Sequence, residues 1–297
     1  MGPATVIAGL IAGFIAGRLA WVLLRPTFAL PVFKRRNVRG IDVPTACGVV
    51  LLVAAAVVEG GRTLLGAGGV GRALGQSGPR LAVLVVVFGL GLVGLLDDLA
   101  GDGDTARGFR GHLTALRHGR LTTGAVKIVV GPGVALIAVA AAHPGRLDHL
   151  GMARLLADAA LVALCANLVN LLDRAPGRAG KVGLAGFVLL AIATGLSGSL
   201  SGVAVVAGAA AALLPDDLKE RAMLGDTGAN ALGGVIGIGI VAACSPTART
   251  VALVVVIGLN VVSELVSFSQ VIERVAPLRR VDDAGRRDRD HPHGHAA

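Results

Sequence analysis

The sequence predicts an all-α, polytopic integral membrane protein of about nine transmembrane helices. Two observations lead there first: 54% of the 297 residues are hydrophobic against 16% charged, with 44 glycines, and the apolar residues fall into runs near the length that crosses a bilayer. A third is the placement of the basic residues, which crowd into alternate loops.

The candidate spans are 4–24, 43–58, 81–96, 123–142, 154–172, 181–194, 198–214, 228–243 and 249–267. The first has no basic residue before it and a positive flank from Arg25 to Arg39 after it, the pattern of a retained span, not of a cleaved leader. On it Gly9, Gly13 and Gly17 recur every four residues, a spacing that lets a neighbouring helix come close. The sixth and seventh runs are short and separated only by Gly195-Leu-Ser-Gly-Ser199, so the nine-span reading rests on that pair being two helices. Gly89-Leu-Gly-Leu-Val-Gly94 has the spacing of a dinucleotide-binding fingerprint, but it lies inside an apolar segment without the strand and turn that motif requires. Residues 1–281 are read as a single membrane domain. The last sixteen, Asp282 to Ala297, are almost all charged, His, Gly or Pro and are read as a mobile tail.

Counting Lys and Arg tests the spans. One set of loops holds twenty, the other six, with Arg18 and Lys127 inside spans. The asymmetry orients the N-terminus outside and the C-terminus in the cytosol of a plasma-membrane protein. It also accounts for the net charge of +9 without a nucleic-acid partner, for there is no Tyr and no aromatic interleaving of the basic groups. Cys47, Cys165 and Cys244 match neither a zinc nor a disulfide spacing and are read as small packing residues.

The polar residues inside or at the ends of spans are few and one-sided. Asp97 and Asp98 close the third span, Lys127 opens the fourth, Asn167, Asn170 and Asp173 close the fifth, and Asp226 precedes the eighth. All fall on the cytosolic side by the charge count. A lone carboxylate at a helix end neutralises nearby arginines; seven such groups from four spans on one side point instead to a shared polar site. Clustered oxygen ligands beside basic groups suit magnesium with a phosphate substrate. A transporter pathway would also use polar groups on several helices, but it should continue to the far side, where the spans are nearly bare apart from Asp158 near Arg154.

Four segments, Lys34-Arg-Arg-Asn-Val-Arg-Gly-Ile-Asp-Val-Pro44, Gly94-Leu-Leu-Asp-Asp98, Asn167-Leu-Val-Asn-Leu-Leu-Asp173 and Met223-Leu-Gly-Asp-Thr-Gly-Ala-Asn-Ala-Leu-Gly233, resemble in order the motifs of the polyprenyl-phosphate N-acetylhexosamine-1-phosphate transferases. The resemblance implies transfer of a sugar 1-phosphate from a UDP-sugar to a polyprenyl phosphate with release of UMP, for cell-wall or surface-glycan synthesis, and it admits a homodimer. By matching position, Asn170 and Asp226 are expected to bind Mg2+, Asp97 and Asp98 to serve the lipid phosphate or the metal, Asp173 to be catalytic, Lys127 to contact the donor diphosphate and Asn167 to bind substrate. The segment Asp173-Arg-Ala-Pro-Gly-Arg178 departs from the family's Asp-Gly-x-Asp-Gly-Leu, with Pro176 where a second carboxylate stands. Arg178 is expected to grip the donor diphosphate or else to anchor in the headgroups. The His291-Pro-His-Gly-His295 cluster is followed by no span, unlike the family's. A transporter, or an inactive relative serving as a scaffold, is the alternative reading.

Overall fold

A computed structural model describes residues 2–37, 39–70, 78–100, 122–143 and 149–287. Eleven helices are present among them: α1 (Gly2–Phe28), α2 (Val49–Ala67), α3 (Gly78–Ala100), α4 (Thr123–Ala142), α5 (His149–Leu172), α6 (Arg178–Ala193), α7 (Ser201–Leu218), α8 (Gly225–Ala243), α9 (Pro246–Leu265), α10 (Phe268–Arg274) and α11 (Ala276–Asp283). Each expected span corresponds to one of α1–α9, and eight of these are long and apolar enough to cross a membrane. The exception is α6, whose 16 residues rise only about 24 Å, short of a hydrocarbon core of about 30 Å. The break between α6 and α7 is real. Gly195 and Leu196 both take positive φ, 58° and 56°, which turns the chain sharply and keeps the two helices apart.

The second span begins at Val49, not at residue 43. Lys34–Arg36 (β1) and Asp42–Pro44 (β2) pair as a short antiparallel hairpin, and Ala46 with φ 57° turns the chain into α2. Thr45 donates its backbone N–H to Phe33, and Met223 donates to Pro44, so the hairpin is tied to the segment that enters α8.

Two helices form the centre. Of the apolar windows of α7 and α8, 72% is buried, against 6% for α9, which packs mainly on α5 and presents the rest of its surface outward. Both central helices are rich in Gly, Ala and Val, residues small enough to let backbones approach. The Gly9, Gly13 and Gly17 stripe does what its spacing implies: a Cβ at Gly13 would overlap the Val205 carbonyl, and one at Gly17 would lie 2.7 Å from the Ala209 Cα. The three cysteines are free; Cys47 and Cys165 are buried and Cys244 half-buried.

Among the described residues, charge gathers toward the two ends of the bundle. At the end where α2 finishes and α3 begins, buried Glu59 pairs with Arg62 and Arg80, and buried Asp158 with Arg154 at 2.8 Å and Arg249 at 2.5 Å. These internal pairs compensate both buried carboxylates.

The chain after α9 does not leave the protein at residue 282. Asp282 is buried between Arg178 and Arg286, and Lys181 Nζ donates to the carbonyls of Val281, Asp282 and Ala284. Helices α10 and α11 thus form a strap across the ends of α6 and α7, held as far as Arg287, whose N–H reaches the Leu218 carbonyl at 3.4 Å. Residues 288–297, including the His291–His295 cluster, lie outside the described residues, as do residues 101–121.

Candidate functional site

Four helices bring their polar residues together at one end. The Lys127 ammonium, from the first turns of α4, lies 2.8 Å from Asp97 Oδ2 at the end of α3 and pairs also with Asp226 Oδ2 at the start of α8. Asn170, in the last turn of α5, completes the group. With its amide turned to satisfy both neighbours it donates to Asp226 Oδ1 at 2.9 Å and accepts from Lys127 Nζ at 3.2 Å. Thr122 caps α4 by accepting from the Ala125 N–H at 3.1 Å, which sets where the Lys127 stem leaves the helix. The three charged side chains keep 21–29% of their surface exposed, so the cluster is open to a ligand.

Asp98 does something different from Asp97. Successive helix positions point about 100° apart, and the Asp98 carboxylate turns to the N-terminus of α8. It accepts from the N–H of Asp226 at 3.0 Å, the N–H of Thr227 at 2.9 Å and the Thr227 hydroxyl at 2.6 Å. A carboxylate here satisfies orphan N–H groups and meets the positive end of the helix dipole. Gly225, with φ 70°, leaves the room: a Cβ would lie 2.6 Å from Asp98 Oδ2. Asp98 therefore orients Asp226.

Beside the cluster is a cavity of 280 Å3 lined by Asp98, Asp173, Asp217, Glu220 and Asp226, with the cations Arg36 and Arg174 at its wall. Asp173 follows directly on α5. Burial, then the charges of Asp217, Asp226 and Asp98, push its carboxyl well above the usual carboxylate range.

Two expected residues do not join. Asn167 faces α9, donating to Asn260 Oδ1 at 2.7 Å. Three residues before Asn170, it sits about 60° round α5, and there its amide meets α9 instead of the cluster. Arg178 faces away from the cavity: Nε and Nη2 each donate to the Asp282 carboxylate at 2.8 Å, and Nη1 donates to Ser269 Oγ at 2.8 Å. It is neither a headgroup anchor nor directed at the cavity, and its partner lies 104 residues on.

Asp217, Glu220, Arg36, Arg174, Thr45 and Thr227 also belong to this end and were not singled out from the sequence. Asp216-Asp217 closes the seventh span as Asp97-Asp98 closes the third, and that parallel was the available signal.

The donor set is of the kind that could hold a hard divalent cation. Among the described residues no three His, Cys, Asp or Glu side chains gather as a preformed cage. Asp226 and Asn170, with Asp97 across Lys127, offer hard oxygen ligands in the small number that magnesium takes when it keeps its waters and binds substrate phosphates. A cation already stands between the two carboxylates, in the Lys127 ammonium, so the site is arranged for positive charge.

Fold and site together define an all-α, multi-pass membrane protein with an acidic, lysine-bridged cluster and cavity at one end. The chain matches no protein-family model and no curated protein.

Proposed function

We propose that this chain is a magnesium-dependent transferase that moves a sugar 1-phosphate from a UDP-N-acetylhexosamine to a polyprenyl phosphate, releasing UMP. In this reading the cluster faces the cytosol at the plasma membrane. The observation that carries it is the convergence of Asp97, Lys127, Asn170 and Asp226 from four helices around one point beside a polar cavity. The second support is the setting: the cavity opens at the end of membrane-length helices, where a lipid phosphate and a water-soluble nucleotide could both reach it.

A phosphate oxygen of the lipid attacks the phosphorus that carries the sugar. The bond to the UMP oxygen breaks, the electron pair leaves with UMP, and a sugar-pyrophosphoryl lipid forms. A phosphate monoester has a second pKa of about 6, so the nucleophile needs positioning and charge neutralisation more than deprotonation. Asp226 and Asn170 would hold Mg2+, which when bound supplies charge neutralisation on the diphosphate. Lys127 sits within reach of the same point and contacts the donor diphosphate. Asp97 holds Lys127, and Asp98 orients Asp226 through the α8 N-terminus. Arg36 and Arg174, which line the cavity, take the place of Arg178 as cations facing the polyanionic donor. Asp173, with its raised carboxyl, is a hydrogen-bond donor to a phosphate oxygen in its protonated form. Asn167 and Arg178 receive no substrate contact.

The test is release of UMP by purified protein supplied with polyprenyl phosphate, Mg2+ and a panel of UDP-sugars. Release from at least one sugar nucleotide, abolished by chelation or by omitting the lipid, is the expected result. No release from any of them would end the transferase reading.

A further inference from the structure

A second group of charges at the same end lies on the opposite side of α7 from the cavity. Asp217 lines the cavity, while its neighbour Asp216 points to α1 and has no exposed side-chain surface. Three arginines converge on it: Arg18 at 2.6 Å and Arg25 at 3.5 Å from α1, and Arg221 at 3.0 Å from the turn after α7. One carboxylate balances one of the three, which leaves two positive charges in excess. Each guanidinium-bearing side chain keeps 45–50% of its surface exposed.

The surroundings of that exposed charge say what it meets. Ile15, Leu19, Val22 and Leu23 are exposed on α1 around Arg18 and Arg25, so this face is covered by lipid in a membrane. Arg18 lies ten residues before the end of α1, about 15 Å along the axis, and a guanidinium there reaches toward the headgroup layer. The arginines are also held in place. Arg25 stacks over the Trp21 ring at 5.3 Å, and Trp21, three residues after Arg18 on the same face, is buried with its indole N–H unpartnered. Guanidinium groups fixed in advance lose little freedom on binding and match phosphate oxygens in geometry.

We propose that Arg18, Arg25 and Arg221 form a binding site for the phosphate headgroup of an anionic membrane phospholipid, seated against α1 and α7 in the leaflet at the cavity end. The site is separate from the transferase reading and stands without it. The bound headgroup supplies the negative charge that Asp216 alone does not.

The experiment uses the full chain in detergent and follows its thermal unfolding midpoint during titration with dioctanoyl phosphatidylglycerol, dioctanoyl phosphatidylcholine or inorganic phosphate. Phosphatidylglycerol is expected to raise the midpoint saturably, with the other two giving no comparable rise. Arg25→Gln, which leaves the two shorter contacts to Asp216 in place, should weaken the apparent affinity about fivefold, the scale of one partly exposed charge contact, with little change in the lipid-free midpoint. Asp216→Asn should lower the lipid-free midpoint but strengthen phosphatidylglycerol binding, because it removes the competing negative charge. A purely structural role for the arginines gives the opposite sign for Asp216→Asn. An equal response to phosphatidylcholine, full reproduction of the response by inorganic phosphate, or unchanged affinity in Arg25→Gln would each overturn the proposal.

Discussion

Removing Arg178 should release the C-terminal strap and leave the chemistry of the cavity largely in place. Arg178 and Asp282 are 6% and 9% exposed and share two hydrogen bonds of 2.8 Å. Breaking a buried pair by deleting one partner costs about 3–5 kcal/mol, mostly by stranding the other charge. The structure ranks the two deletions within that range. Asp282 keeps Arg286 at 2.7 Å when Arg178 is lost, so Arg178→Ala falls near the lower end, about 3 kcal/mol. Asp282→Ala leaves the buried Arg178 guanidinium with only the Ser269 hydroxyl, while Arg286 retains Asp283 and the Pro176 carbonyl, and falls near the upper end, about 5 kcal/mol. Where opening precedes cleavage, about 3 kcal/mol raises the open population roughly a hundredfold. The assay is the initial rate of trypsin cleavage at Arg279 and Arg280, exposed on α11. Both variants should be cut far faster than wild type, Asp282→Ala faster than Arg178→Ala, and the double replacement Arg178→Met with Asp282→Leu should recover much of the protection. Wild-type resistance in Arg178→Ala would refute the strap's dependence on this pair. A tenfold fall in kcat/KM at unchanged resistance would return Arg178 to the donor.

Acid should act on the same contact. Burial alone would raise the Asp282 carboxyl, but the hydrogen bonds and charges of Arg178 and Arg286 outweigh it and hold the group below its ordinary value. A depressed carboxyl contributes stability that is full above its unfolded value, about 3.9, and is lost as pH falls through the folded one. Protease sensitivity of the strap should therefore be flat above about pH 5 and rise below about pH 4, and a rise already complete at pH 6 would contradict this. Asp98→Asn turns an amide toward N–H donors of Thr227 and should cost about 2–3 kcal/mol in thermal stability, the loss of a charge-assisted cap. Asp97→Asn should cost less; the reverse order would argue against the capping role. Gly13→Val should lower the unfolding midpoint by an overpacking cost of about 1–3 kcal/mol or more, whereas Gly60→Ala, with open space around it, should not. Equal midpoints for the two would count against close α1–α7 contact.

The spans, their order and the end at which the acidic groups gather were legible because a bilayer constrains length and hydropathy strongly. The Gly9–Gly17 stripe was legible for the same reason, as its spacing has one mechanical use. The meeting of Asp97, Lys127, Asn170 and Asp226 was legible at the level of residue type and helix end. What remained hidden depends on contacts between distant segments. Asp98 and Asp97 look equivalent in sequence, and only the approach of α8 separates a cap from a carboxylate paired with Lys127. Arg178 was open to two readings, a donor contact or a headgroup anchor, because its partner is 104 residues away, in a segment whose composition reads as disordered. A helix as polar as α11 has no local reason to stay docked; its anchors are Arg178, Lys181 and Arg286. The hairpin that displaces the start of α2 is three residues a side and carries no strong strand pattern.

The proposed function assigns a lipid-linked transfer to the four-residue cluster. Its most direct test is the formation of organic-extractable sugar-pyrophosphoryl lipid from labelled UDP-sugar by wild type, Asp226→Asn, Lys127→Ala and Glu264→Gln, the last altering an exposed carboxylate on α9. Product is expected from wild type and Glu264→Gln, with at least a roughly hundredfold loss in the two cluster variants and folding retained in detergent. Product formation at wild-type rate by folded Asp226→Asn would contradict it.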